Sequence, residues 1–276
     1  MSEAVKLKEI EKETCFVRAT HKVKGRKISV TPENTASQYL YYGRIVLEAG
    51  ENLSFENETH ETGLICLNGA AQISTDGQTF NLSRYDAVYV PRDSSMAVST
   101  ENGCDLAEIS SPVENIYPLQ FVSFLENRKN PALSFIAGSA PTERDLNVLL
   151  GKNIEAGRIM AGVTFSKPGN WTSYPPHEHG EMLEEAYLYI DMPAPAFGIQ
   201  LVYTDLDNPE LVQIVREGDV VIMPKGYHPN VAAPCGQINF LWMMAAHREV
   251  VDRQFGVVNV QPEFSQNGSG LEASQK

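Results

Sequence analysis

The feature that most constrains this chain is a strand-and-turn pattern that occurs twice. Tyr85-Asp86-Ala87-Val88-Tyr89-Val90-Pro91 is matched by Gly218-Asp219-Val220-Val221-Ile222-Met223-Pro224, each with an Asp five residues before a Pro. LEAGENLSF, from Leu47, and SKPGNWTSY, from Ser166, each read as a strand, a Gly turn and a polar strand. Around them, short runs rich in Val, Ile, Tyr and Phe, such as RIVLEAG, LICLNG, EAYLYI and FGIQLVYTD, alternate with Gly, Asn, Asp and Pro turns. That spacing belongs to all-β sandwiches and barrels. Asp76-Gly77 suits the positive φ angles of a two-residue hairpin turn. Helical periodicity is confined to residues 3–12 and 142–150. The expected fold is all-β, with two tandem jelly-roll β-barrel domains. Residues 1–130 form the first, 131–262 the second, and 263–276 a disordered tail.

With 276 residues the chain has room for two cores of this kind. No run of eighteen apolar residues is present, and the first residues, MSEAVKLKEIEKE, are charged rather than apolar, so the expected location is the cytoplasm. A formal net charge of −13 argues against nucleic acid or an anionic membrane as partner. Lys22, Lys24, Arg26 and Lys27 are read as a solvated edge. Cys15, Cys66, Cys104 and Cys235 lie far apart without a CxxC pair and are read as reduced structural thiols. A homo-oligomer is compatible with all of this.

The chemistry concentrates in two short segments. Pro175-Pro176-His177-Glu178-His179 is followed by Glu184-Glu185-Ala186-Tyr187-Leu188-Tyr189. Residues two apart on a strand share a face, so His177 and His179 present two imidazoles to one side, within reach of a carboxylate on the next strand. The second segment, Gly218 to His228, is a strand ending in Pro224-Lys225-Gly226-Tyr227-His228, a turn that delivers a third imidazole. Three nitrogens and one carboxylate oxygen suit Zn, Mn, Fe, Co or Ni with positions left open for substrate. Parity selects the carboxylate. Glu185 shares a face with Tyr187 and Tyr189, which suits a polar cavity, whereas Glu184 shares one with Ala186, Leu188 and Ile190, which suits packing. The expectation is one divalent metal per chain, zinc first, on His177, His179, Glu185 and His228. The corresponding segments of the first half, His60-Glu61-Thr62-Gly63 and Pro91-Arg92-Asp93-Ser94-Ser95-Met96, lack such a set, so this half is read as a metal-free scaffold. His21 and His247 are read as structural.

These segments are cupin signatures. PGNWTSYPPHEHGE, LEEAYLYI, GIQLVYTD and EGDVVIMPKGYHPNVAAPCG, with GRKISVTPENT and LEAGENLSF earlier in the chain, resemble the 5-deoxy-glucuronate isomerases of inositol catabolism. The related 5-keto-4-deoxyuronate isomerases of pectin breakdown share the arrangement. The resemblance implies a bicupin that uses a divalent metal to interconvert 5-deoxy-D-glucuronate and 5-dehydro-2-deoxy-D-gluconate, with its ligands at His177, His179, Glu185 and His228.

Moving a proton between adjacent carbons requires a Lewis acid on the oxygens and a base near the carbon. Candidates for the base are Glu184, Glu181, Tyr187 and Tyr203; Lys225 and Arg216 are candidates for meeting a substrate carboxylate. Three rival readings use the same residues: a 5-keto-4-deoxyuronate isomerase, a metal-dependent dioxygenase, or a non-catalytic sugar-binding cupin.

Overall fold

A computed structural model describes residues 5–234 and 236–267. The chain is built almost wholly of strands, paired antiparallel throughout. In the first half, six strands run in the order Gln120–Val122, Ala87–Val90, His60–Gly69, Cys104–Pro112, Tyr41–Leu47, Gly25–Val30. A second sheet of four, Asn52–Glu56, Ser95–Ser99, Ala71–Thr75 and Gln78–Leu82, accompanies it. The second half repeats the plan. Val220–Met223, Leu183–Tyr189, Phe240–Ala246, Ile159–Ser166 and Arg144–Leu150 lie side by side in a seven-stranded sheet, accompanied by Trp171–Thr172, Asn230–Ala232, Gly198–Val202 and Leu211–Val215.

The repeat read from the sequence holds at the level of register. Thr62 faces Val90 across its strand pair as Glu185 faces Met223 across its own. The Asp76-Gly77 turn joins Ala71–Thr75 to Gln78–Leu82 with both residues at positive φ, 47° and 68°. Strand alternation then assigns the cores. Leu64 and Cys66 point into a closed apolar core with Ile73, Val88, Met96 and Val98, which fills the first half. Ile65 and Leu67 point the other way, into a larger core shared with Ala186, Leu188 and Ile190 of the second half.

Three expectations are corrected. Residues 142–150 are not helical: Arg144–Leu150 is a strand held between Ser134–Ala137 and Ile159–Ser166, because pairing on both sides outweighs a weak local preference. The helix expected at 3–12 is also missing over its described residues 5–11; a four-residue helix, Lys12–Cys15, begins only at the end of that segment. Phe16–Val17, assigned with the first half, pairs with Val220 and Val221 and so completes the sheet of the second. Pro262–Asn267 forms a 3-10 helix at the start of the expected tail, whose remainder lies outside the described residues, as does Cys235. The other three cysteines are free and buried.

Candidate metal centre

His177 sits on a two-residue strand, His177–Glu178, pinned by pairing with Asn259–Val260. His228 follows the strand Val220–Met223 on a turn in which Gly226 has φ +85°. A Cβ at Gly226 would come within 2.7 Å of the Tyr203 carbonyl, so the close approach of that turn requires glycine. Glu185 comes from the middle of the sheet, on Leu183–Tyr189. These three elements bring ligand atoms of His177, His179 and His228 within 4.8 Å of one another, with ring centroids 4.8–5.6 Å apart.

The hydrogen bonds define what this cluster can hold. The Nδ1 of His177 lies 3.0 Å from the Pro175 carbonyl, and that of His228 lies 3.0 Å from the Gly226 carbonyl. A carbonyl only accepts, so each Nδ1 carries the proton and each Nε2 keeps a lone pair. One oxygen of Glu185, Oε2, stands 3.0 Å from the Nε2 atoms of both His179 and His228. The buried His228 Nε2 nevertheless has no hydrogen-bond partner. A lone pair and a carboxylate oxygen facing each other in a buried place call for a cation between them, and the donor set of three imidazoles and one carboxylate fits a divalent metal.

Electrostatics support the same reading. Burial, and then the charges of His228 and His179, hold His177 well below its ordinary value, in the neutral form a metal needs. Burial opposes the charge of Glu185, but His179 and His228 outweigh it and bring the carboxyl down to about 2.

The wall beside the cluster is formed by the inward faces of the seven-stranded sheet. Tyr187 stacks on Phe240 at 4.2 Å, and its hydroxyl pairs with Ser173 Oγ at 2.8 Å. Burial first, and then the charge of Glu185, raise Tyr187 well above the ordinary phenol value. Trp242 stacks on Phe255 at 5.2 Å, and Arg144 also lines the cavity.

His177, His179, Glu185, His228 and Tyr187 thus come together. The other candidates do not. Glu184 points to the opposite face of its strand, where it accepts the backbone amides of Gln38, Tyr39 and Leu40 at 2.5–2.6 Å; a carboxylate saturated in this way is no base for a substrate in the cavity. Lys225 is ion-paired with Glu9 at 2.7 Å and does not line the cavity. Glu181 and Arg216 are exposed, and the Tyr203 hydroxyl donates to Gln261. His247 donates from Nδ1 to the Glu181 carbonyl, while its buried Nε2 has no hydrogen-bond partner. His21 Nδ1 likewise has no partner. In the first half Thr62 occupies the place of Glu185, and apolar side chains fill the interior. Among the described residues His177, His179 and His228 form the cluster suited to a metal. Arg144, Ser173 and Trp242 were missed from the sequence. An arginine at an inward position among buried apolar residues was a signal for the first, hidden by reading its segment as helix.

The chain matches the KduI/IolB family model over residues 15–259. It is 31% identical over 238 residues to the 5-deoxy-glucuronate isomerase of Geobacillus kaustophilus, covering 80% of this chain and 84% of that one. Among solved structures it is similar to an IolB-like protein from Salmonella typhimurium, with a TM-score of 0.82 at 22% identity over 92% of this chain and 98% of that one. A cupin 2 conserved barrel domain protein from Leptotrichia buccalis superposes with a TM-score of 0.51 at 13% identity, over 86% of this chain and 99% of that one. The fold is that of the cupins.

Proposed function

The chain belongs to the KduI/IolB family, and from that membership we infer that it is an aldose–ketose isomerase converting 5-deoxy-D-glucuronate to 5-dehydro-2-deoxy-D-gluconate. The observation that carries the reading is the buried His177, His179, Glu185 and His228 cluster, set in a chain that resembles named isomerases along most of its length. In this proposal the four side chains hold one divalent metal, zinc by the borderline character of the donor set, and the enzyme works in the cytoplasm.

A divalent metal held by His177, His179, Glu185 and His228 would supply a Lewis acid for the oxygens of the reacting end of the sugar acid. The protein supplies the rest. Pro175 and Gly226 fix the tautomers of two ligands, so the imidazoles are oriented before substrate enters. Tyr187, of the residues considered for proton transfer, is the one whose hydroxyl faces the cavity. Held by Ser173, it can donate a proton to the oxygen on carbon 1 and take one back from the hydroxyl on carbon 2 as the hydrogen on carbon 2 is transferred to carbon 1. Phe240, Trp242 and Phe255 exclude water from the reacting end.

The test is an assay of 5-deoxy-glucuronate and 5-keto-4-deoxyuronate side by side, with metal content and oxygen uptake measured on the same sample. Turnover of the first without oxygen uptake is expected. Turnover of the second alone, or oxygen consumption, assigns the site to a different reaction.

A further inference from the structure

The cavity beside the histidines is also lined by Arg144, which is 5% exposed. Arg144 is the one Lys or Arg side chain that lines this cavity among the described residues, and its Nη1 donates to the Thr142 carbonyl at 3.1 Å; Leu146, Phe240, Trp242, Met244 and Phe255 line the cavity together with Thr164, Ser173 and Tyr187. Burial disfavours its charge and brings the guanidinium down to about 10, and the Tyr187 hydroxyl opposes that loss. A second donor lies on the same wall. Trp242 Nε1 is buried without a hydrogen-bond partner, and the indole lies where a Cβ on Gly162 would come within 2.2 Å of its Cζ2. Glycine at 162 is therefore what lets the ring lie against the sheet.

A guanidinium offers two parallel N–H groups in the geometry of a carboxylate, and a buried pair of this kind contributes more than an exposed one. Resting on the isomerase reading, we propose that Arg144, assisted by the Trp242 Nε1–H, receives the carboxylate of the sugar acid while its carbonyl end faces His177, His179, Glu185 and His228. Arg144 is on this account a specificity-determining residue, and Lys225 is not.

The experiment uses two probes that cannot isomerise: 5-deoxy-glucuronate reduced at carbon 1, and its neutral counterpart with CH2OH in place of the carboxylate. Calorimetry on the metal-loaded protein should show the acid bound at least roughly 30-fold more tightly than the neutral compound, the size expected of a charge-assisted bidentate contact. Arg144→Gln should abolish that preference with metal content and β-sheet signal unchanged. Arg144→Lys should retain part of it, and Trp242→Phe should lower acid affinity several-fold without affecting the neutral probe. If Arg144→Gln does not fold, the lysine and phenylalanine variants decide. Equal binding of the two probes by the parent protein, or full acid preference in both Arg144 variants that fold, overturns the proposal. Turnover of 5-deoxy-glucuronate by the parent is measured separately. Its absence sinks the isomerase reading, while an Arg144-dependent acid preference would stand by itself.

Discussion

Glu61 and Glu184 occupy equivalent places in the two halves of the chain, and each binds three consecutive backbone amides of the other half. Glu184 takes Gln38, Tyr39 and Leu40; Glu61 takes Gly157, Arg158 and Ile159, all at 2.5–2.8 Å. Each glutamate stands one residue before the paired positions Thr62 and Glu185, and each amide triplet leads into the corresponding strand of the opposite half. The halves are therefore stapled reciprocally. Removing either carboxylate leaves three buried or partly buried N–H groups without acceptors, and each fully buried one costs about 1–3 kcal/mol. Glu184→Ala and Glu61→Ala should each destabilise the protein by about 3 kcal/mol or more in denaturant unfolding. Metal content at equal folded fraction should stay the same. A Glu184→Ala protein of normal stability that had lost turnover would restore Glu184 to the chemistry.

The neighbour of Glu184 behaves in the opposite way. Glu185 points to the cluster, and its oxygen stands 3.0 Å from two imidazole nitrogens. Glu185→Gln should weaken metal binding by at least roughly tenfold. Glu184→Gln should retain the metal. Since Thr62 and the apolar interior replace a ligand set in the first half, the parent protein should bind close to one divalent ion per chain, read by elemental analysis after dialysis. Two ions per chain would place a second site where none is expected.

What could be read from the sequence was what depends on neighbours along it. Strand parity separates Glu184 from Glu185, and the HxH spacing places His177 and His179 together, because side-chain direction on a strand follows local geometry alone. The role of Glu184 was hidden because its partners lie about 145 residues away, and no local pattern records which amides a carboxylate will meet. Arg144 was hidden for a related reason: its strand exists through pairing with residues on both sides, and its segment taken singly reads as helix. The same holds for Phe16 and Val17, whose place in the second half depends on contacts across some two hundred residues.

The buried cysteines give a pH dependence with a definite sign. Burial pushes Cys15 up from an ordinary 9.0 to about 11 and Cys66 to about 12, and it raises Cys104 as well. A group whose folded value is raised contributes stability that is fully present below its unfolded value and is lost as pH rises through the folded one. Stability should therefore decline above about pH 9 as the medium approaches 11 to 12, with buried tyrosines such as Tyr42 acting in the same direction. In a Cys235→Ser background, where only the three buried thiols remain, a thiol reagent at pH 8 should label nothing until denaturant is added. Rapid labelling of the folded protein would show that one of these thiols is accessible.

Tyr187 is the remaining group with a chemical role to test. Its ring is held between Phe240, stacked at 4.2 Å, and the edge of His228 at 5.8 Å, so replacing tyrosine by phenylalanine should preserve packing while removing one hydroxyl. That hydroxyl bonds Ser173 Oγ at 2.8 Å and faces the cavity that holds the metal ligands. If it donates a proton to a sugar oxygen only as charge develops there, its loss should fall on kcat rather than on KM. Tyr187→Phe is expected to lower kcat by roughly a hundredfold, with KM within a few-fold and metal content unchanged. Ser173→Ala, which leaves the hydroxyl in place but releases its orientation, should cost less. Should Tyr187→Phe instead raise KM at constant kcat, the hydroxyl binds substrate without taking part in proton transfer, and the donor must be sought elsewhere on the wall.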